Sequence, residues 1–120
     1  MKKVLKLGIV GGGPNSWIGN IHRIASRIDG NYDLCAGVLS RDKNKVIEFA
    51  KQINIDESRL YSDYKEMADI ESKRLDKIDV VAVMTPPGSH HEIVEYFIKK
   101  NFNVISDKPF ASTYNQAKKL

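Results

Sequence analysis

Nine residues near the N-terminus, Gly11-Gly12-Gly13-Pro14-Asn15-Ser16-Trp17-Ile18-Gly19, hold four of the chain's eight glycines. Glycine permits a tight turn and lets backbone N–H groups approach a pyrophosphate, and a helix opening behind the turn adds positive potential. The dinucleotide fingerprint is G-x-G-x-x-G, whereas five residues separate Gly13 from Gly19 here. The loop is therefore longer, and its candidate ligand contacts are Gly11, Gly13, Pro14, Asn15, Ser16, Trp17 and Ile18. Core packing explains a tryptophan in a glycine loop poorly, so Trp17 either lies over a bound group or closes the loop against a neighbour. A Walker loop is excluded, because Asn20 stands where its lysine would be.

Three later clusters follow other apolar runs. In Ser40-Arg41-Asp42, Ser40 occupies the position where an acid holds the ribose hydroxyls of NAD, and Arg41 is the residue type that accommodates the extra phosphate of NADP. That leans the reading to NADP; otherwise Arg41 is a solvated surface residue, and Asp42 is read as a helix cap. Thr85-Pro86-Pro87-Gly88-Ser89-His90-His91 offers a hydroxyl, two stiff prolines that would form an extended shelf, and two histidines. Ser89 with Glu92 also fits a helix N-cap box. The histidines lack further ligands at metal spacing, so no metal site is expected. In Ser106-Asp107-Lys108-Pro109 a lysine at a strand's carboxyl end can donate to a substrate oxygen or feed a proton relay; the alternative is a surface lysine in a turn. Cys35 reads as an inert core thiol and His22 as a packing residue.

These clusters need elements to present them, and the chain alternates strand-like and helix-like segments. Strands are expected at Val4 to Val10, Tyr32 to Leu39, Arg59 to Tyr61, Asp79 to Met84 and Asn103 to Ser106. Helical spacing recurs at Ile21, Ile24, Ala25 and Ile28, then at Val46, Phe49, Ala50 and Ile53. It returns at Tyr64, Met67 and Ala68, then with Val94, Phe97 and Ile98 inward, and again from Ala111 onward. The stretch from Ala68 to Lys77 fits either a longer helix or a loop. The continuous apolar run Val80-Val81-Ala82-Val83-Met84 requires both sheet faces to be covered. The pattern is an α/β, Rossmann-like, doubly wound parallel sheet, in which ligands bind beyond the carboxyl ends of the strands.

The 120 residues make about one domain. No apolar stretch approaches the ~20 residues needed to span a bilayer, and the N-terminus lacks a signal-peptide core, so no membrane partner is expected. A single cysteine excludes an internal disulfide framework and fits a reducing cytoplasm. Net charge is +4, but from Asp56 to Asp76 seven acids face four bases, and no basic run is interleaved with aromatics. Nucleic acid is therefore not an expected partner. The last residues, Gln116 to Leu120, read as the middle of a helix, as if the chain were part of something longer.

The chain resembles the N-terminal domain of the glucose-fructose oxidoreductase / inositol dehydrogenase / rhizopine-catabolism (Gfo/Idh/MocA) family over its whole length. Leu7 to Gly13 with Ile18-Gly19-Asn20-Ile21-His22-Arg23 looks like a long-loop branch of that family's cofactor motif. Ala36 to Asp42 resembles its second strand, Asp79 to His90 its "D-x-V-x-x-x-T-P-x-x-x-H" segment, and Asp107-Lys108-Pro109 its Glu-Lys-Pro signature, with Asp107 one methylene shorter. The resemblance implies an NAD(P)-dependent oxidoreductase acting by hydride transfer on a sugar, polyol or related carbonyl. It implies that Lys108 assists substrate proton transfer, and that Thr85, Pro86, Pro87, His90 and Asp107 line the cofactor. It further implies a homo-oligomeric protein with a C-terminal α/β substrate domain beyond residue 120. Residues 1–120 are then the NAD(P)-binding domain, expected to bind cofactor without turning over substrate. The competing readings are a noncatalytic dinucleotide-sensing regulator of the same fold and an S-adenosylmethionine-dependent methyltransferase. The missing acid after the second strand and the Asp107-Lys108-Pro109 segment weaken the latter.

Overall fold

Five short, mostly apolar runs pair side by side into one parallel sheet. The computed structural model describes residues 4–14, 17–28, 30–40, 42–85, 87–106 and 114–119. The strands are β1 (Leu5–Val10), β2 (Tyr32–Val38), β3 (Leu60–Tyr61), β4 (Val80–Val83) and β5 (Asn103–Ser106). The helices are α1 (Trp17–Arg27), α2 (Ile47–Gln52), α3 (Tyr64–Glu71), α4 (Pro87–Lys99) and α5 (Tyr114–Lys119). Spatial order is β3-β2-β1-β4-β5. The order reverses at β1, so the chain leaves β1 and β4 toward opposite edges and opens a crevice between their carboxyl ends.

Each sheet face has its own core. On one, Met67 and Ala68 of α3 and Val94 and Phe97 of α4 pack on Val81 and Val83. On the other, Val46, Ala50 and Ile55 cover Leu7, Ile9 and Ala82. β4 is buried at every position, as a central parallel strand must be. Burying one side chain such as Phe97 contributes about 1.5–3 kcal/mol.

The sequence pattern holds in outline and misses in three places. Ile98 is exposed, and Ile93 is the residue that turns inward on α4. On α1 the isoleucine stripe also faces outward, with Ile24 47 % and Ile28 73 % exposed. Close approach to the glycine loop instead uses Gly19 and the buried Arg23 of α1. Finally, α4 begins at Pro87, earlier than the Ser89 cap required. Proline suits a first helical position, where its missing N–H is no loss. Pro87 is therefore helical rather than part of an extended shelf, and Ser89 sits within the first turn.

Between Ala68 and Lys77 the helix stops at Glu71, and Glu71 explains why this polar stretch is ordered. Its carboxylate is fully buried. It accepts from Arg59 Nη2 at 2.6 Å and Nε at 3.1 Å, from Tyr61 Oη at 2.6 Å and from the Ile78 N–H at 3.2 Å. Burial pushes the Glu71 carboxyl up, but the hydrogen bonds from Arg59 and Tyr61, the Arg59 charge and the Ile78 N–H outweigh it and hold it below its ordinary value. Arg59 in turn reaches the Asp76 carbonyl, so this cluster ties β3 and α3 to the entry of β4. Among the described residues, no helix is long and apolar enough to cross a membrane.

Candidate functional site

At the end of β1 the chain must turn sharply, and Gly11 and Gly12 do so at φ +89° and +76°, a region that strains any side chain. The Gly11 N–H donates to Val38 O and the Met84 N–H to Val10 O, so the turn is pinned to both neighbouring strands. Space excludes side chains as firmly as conformation does. A Cβ on Gly13 would lie 2.9 Å from Leu39 O, and one on Gly19 would lie 2.4 Å from Gly12 Cα. Gly19 thus lets α1 meet the loop backbone to backbone. Gly12 and Gly19 are structural necessities rather than the ligand contacts expected in this loop, and the glycine count of the sequence already marked them.

Beyond the strand ends lies an open cleft of about 650 Å³, within the range of small-molecule and cofactor sites. Val10 at the end of β1 and Gly11 after it, Leu39 and Ser40 after β2, Thr85 after β4, and Ser89 and Ile93 of α4 line it. Gly11, Ser40 and Thr85, each picked from sequence, therefore converge on one space. Ser62, Asp63 and Tyr64 after β3 line it too. Sequence reading missed them because Asp63 serves visibly as the α3 cap, accepting from the Lys65 N–H at 3.0 Å. Ser40 Oγ accepts from the Asp42 N–H at 3.2 Å, and Asp42 caps the following turn through the Asn44 N–H. Asp42 is thus spent on local structure, as expected.

His90 is placed differently. It is 1 % exposed and stands outside the cleft lining. Its Nδ1 lies 3.4 Å from Thr85 O and its Nε2 2.5 Å from Ser106 Oγ. A carbonyl can only accept, so in the neutral ring the tautomer that fits both partners has the proton on Nδ1 and the serine hydroxyl donating to Nε2. His90 therefore links the ends of β4 and β5 behind the cleft. Among the described residues Thr85 Oγ1 is buried without a partner, as is His91 Nδ1, while His91 Nε2 lies 3.2 Å from Glu95.

Pro14 is exposed at the loop. Asn15, Ser16, Arg41, Pro86, Asp107 and Lys108 lie outside the described residues, as do the side chains of Trp17, Ile18 and Pro87. Trp17 itself opens α1. Cys35 is half-buried with Sγ 3.8 Å from Leu7 O; burial is the main cause that pushes its thiol up, consistent with an inert packing role. Among the described residues, no group of three or more His, Cys, Asp or Glu is placed to hold a metal.

Comparison with known proteins gives the same picture from outside. The family described as an oxidoreductase family with an NAD-binding Rossmann fold (Gfo/Idh/MocA) matches residues 5–120. The uncharacterized oxidoreductase YfiI of Bacillus subtilis is 33 % identical over 100 % of this chain and 31 % of its own length. An oxidoreductase of Sinorhizobium meliloti is 44 % identical at a TM-score of 0.89, covering 98 % of this chain and 32 % of that one. An inositol dehydrogenase homolog of Azotobacter vinelandii, solved in complex with NAD+, is 35 % identical at a TM-score of 0.93, covering 98 % and 30 %. The chain spans about a third of the length of the relatives it matches.

Proposed function

The chain belongs to the Gfo/Idh/MocA oxidoreductase family as its NAD-binding Rossmann domain, and we propose that it presents NAD(P) to a sugar, polyol or related carbonyl compound for hydride transfer. The observation that carries this reading is the single cleft onto which Gly11, Ser40 and Thr85 converge at the carboxyl ends of β1, β2 and β4. The residues fit the group. The glycine turn has neither conformation nor room for side chains, which leaves its backbone free to approach a phosphate.

Bound there, the cofactor supplies a hydride donor or acceptor at its nicotinamide ring. Gly11, Gly13 and the first turn of α1 hold its pyrophosphate, with Pro14, Asn15, Ser16, Trp17 and Ile18 completing the loop. Ser40 and Arg41 hold the adenosine ribose; with no acid at this position, NADP is the favoured form. Thr85, Pro86 and Pro87 flank the nicotinamide end, His90 braces them from behind, and Asp107 reaches the second ribose. Lys108 moves the proton at the substrate oxygen. Support for a polyol comes from the Azotobacter vinelandii homolog, which is also solved with NADH and myo-inositol. Substrate contacts beyond Lys108 belong to a further domain of the complete protein, so this chain alone binds cofactor without turnover.

The test is a titration of the chain with NADH and NADPH, followed by nicotinamide fluorescence. Saturable binding of either below millimolar concentration is expected. No binding of either at that concentration removes the reading.

A further inference from the structure

Arg23 is unusual for a charged residue in this chain. It is 7 % exposed, and among the described residues no carboxylate pairs with it. Its guanidinium stacks 5.0 Å over the Phe49 ring of α2 and donates through Nη1 to Gly12 O at 2.5 Å. Burial, followed by the charge of Arg27 one turn away, pulls it below its ordinary value. Burying a cation without an anion is costly, so its position calls for a physical account.

The peptide plane provides one. In a trans peptide the C=O of one residue and the N–H of the next point in opposite directions. The Gly12 carbonyl is drawn toward Arg23 and Phe49, so the Gly13 N–H is turned away from them. Glycines at positive φ leave the Gly12–Gly13 peptide free to flip, and the Arg23 bond removes that freedom. We infer that Arg23 is a positioning residue for the cofactor's diphosphate: it clamps Gly12 O, fixes the Gly13 N–H toward the anion, and leaves a desolvated positive charge behind the loop. This deepens the proposed cofactor reading and rests on it. Its ligand class is a nucleoside diphosphate, and the adenosine moiety alone is indifferent to it.

The experiment compares the wild-type chain with Arg23→Gln and Arg23→Lys, using ADP-ribose and adenosine as ligands and amide chemical shifts as readout. The expected result is a loss of ADP-ribose affinity of tenfold or more in Arg23→Gln, with adenosine affinity within twofold of wild type. Arg23→Lys, which keeps the charge but loses the planar fork, should fall between. The Gly13 amide resonance should shift in both variants before any ligand is added. A merely structural role would weaken both ligands together and would not separate them. Equal losses for the two ligands, no loss, or an unmoved Gly13 resonance each overturn the inference. If Arg23→Gln does not fold, Arg23→Lys carries the same comparison. Failure of the wild-type chain to bind ADP-ribose brings down the cofactor reading and the inference with it; wild-type binding with unaffected variants brings down the inference alone.

Discussion

Replacing Gly19→Ala adds one carbon where α1 touches the loop. That carbon would lie 2.4 Å from Gly12 Cα and 2.9 Å from both the Gly12 carbonyl carbon and oxygen. Ordinary carbon contacts begin near ~3.5 Å, so the helix and the loop must part by about 1 Å. Every atom struck is backbone, and no flexible side chain can absorb the displacement. The Arg23–Gly12 hydrogen bond, now 2.5 Å, would stretch to about 3.5 Å and cease to be one. Overpacking of this kind costs about 1–3 kcal/mol, from which the better helix propensity of alanine recovers up to ~1 kcal/mol. The net loss of about 1–2 kcal/mol corresponds to a Tm lower by roughly 5–15 °C for a domain of this size. NADH affinity should drop about tenfold, the equivalent of ~1.4 kcal/mol. Gly88→Ala is the internal control: it sits in the first turn of α4 with nothing within 4 Å of an added Cβ. That variant should gain up to ~1 kcal/mol from helix propensity. Both quantities are read by thermal denaturation and nicotinamide fluorescence. A Gly19→Ala chain melting within about 2 °C of wild type, with unchanged NADH affinity, would refute the close contact on which the argument depends.

Three other outcomes are expected, the first from the buried ion pair and the other two from the proposed function. Glu71→Gln removes the charge that neutralises buried Arg59 and should cost about 3–5 kcal/mol at pH 7, read as a lower urea midpoint. Because the folded-state carboxyl is held below its ordinary value, its contribution is full above the unfolded value near 4.5 and fades as pH falls through the folded one. The variant's acid limb should accordingly be flatter, and an unaltered limb would count against the carboxylate. Arg41→Ala should lower the ratio of NADPH to NADH affinity by about tenfold, the size of one lost charge-assisted contact; an unchanged ratio removes Arg41 from the site. In the complete protein, Lys108→Met should lower kcat by a factor of about 100 or more with cofactor affinity retained, and near-normal turnover would end its proton-transfer role.

The parallel sheet was legible because a buried strand cannot hide: residues 80–83 are apolar at every position, and β5 spans the four residues expected, Asn103–Ser106. Inward faces were less legible on helices that meet little else. Ile21, Ile24 and Ile28 recur at helical spacing but are exposed, because α1 approaches the loop through a glycine and an arginine rather than through aliphatic bulk. The cleft lining was readable where backbone chemistry sets residue type, as at Gly11. It was unreadable where one side chain does two things. Asp63 caps α3 and lines the cleft, and the first role conceals the second. His90 illustrates the converse: the family resemblance implied that it lines the cofactor, yet its 1 % exposure and bond to Ser106 place it behind the cleft. Spacing tells which residues come together, not which of them faces the open space.

Thr85 brings stability and binding into direct opposition. Its Oγ1 is buried at the cleft wall without a partner among the described residues, whereas most buried polar groups in a folded domain are paired. An unsatisfied buried hydroxyl costs about 1–3 kcal/mol. Valine has nearly the same shape and no polar atom, so Thr85→Val should stabilise the free chain by about 1 kcal/mol, a Tm gain of roughly 4–8 °C. Because Thr85 lines the cleft, a cofactor oxygen or amide bound there is the partner proposed for the hydroxyl. The same substitution should then weaken NADH binding by a factor of about 5–10, in line with one lost hydrogen bond. A single change that raises Tm and lowers affinity is the signature of a group kept for the bound state. If Thr85→Val raises Tm and leaves NADH affinity where it was, the hydroxyl takes no part in binding. If it lowers Tm, the hydroxyl has a partner in the folded chain, and its place at the cleft carries no functional argument.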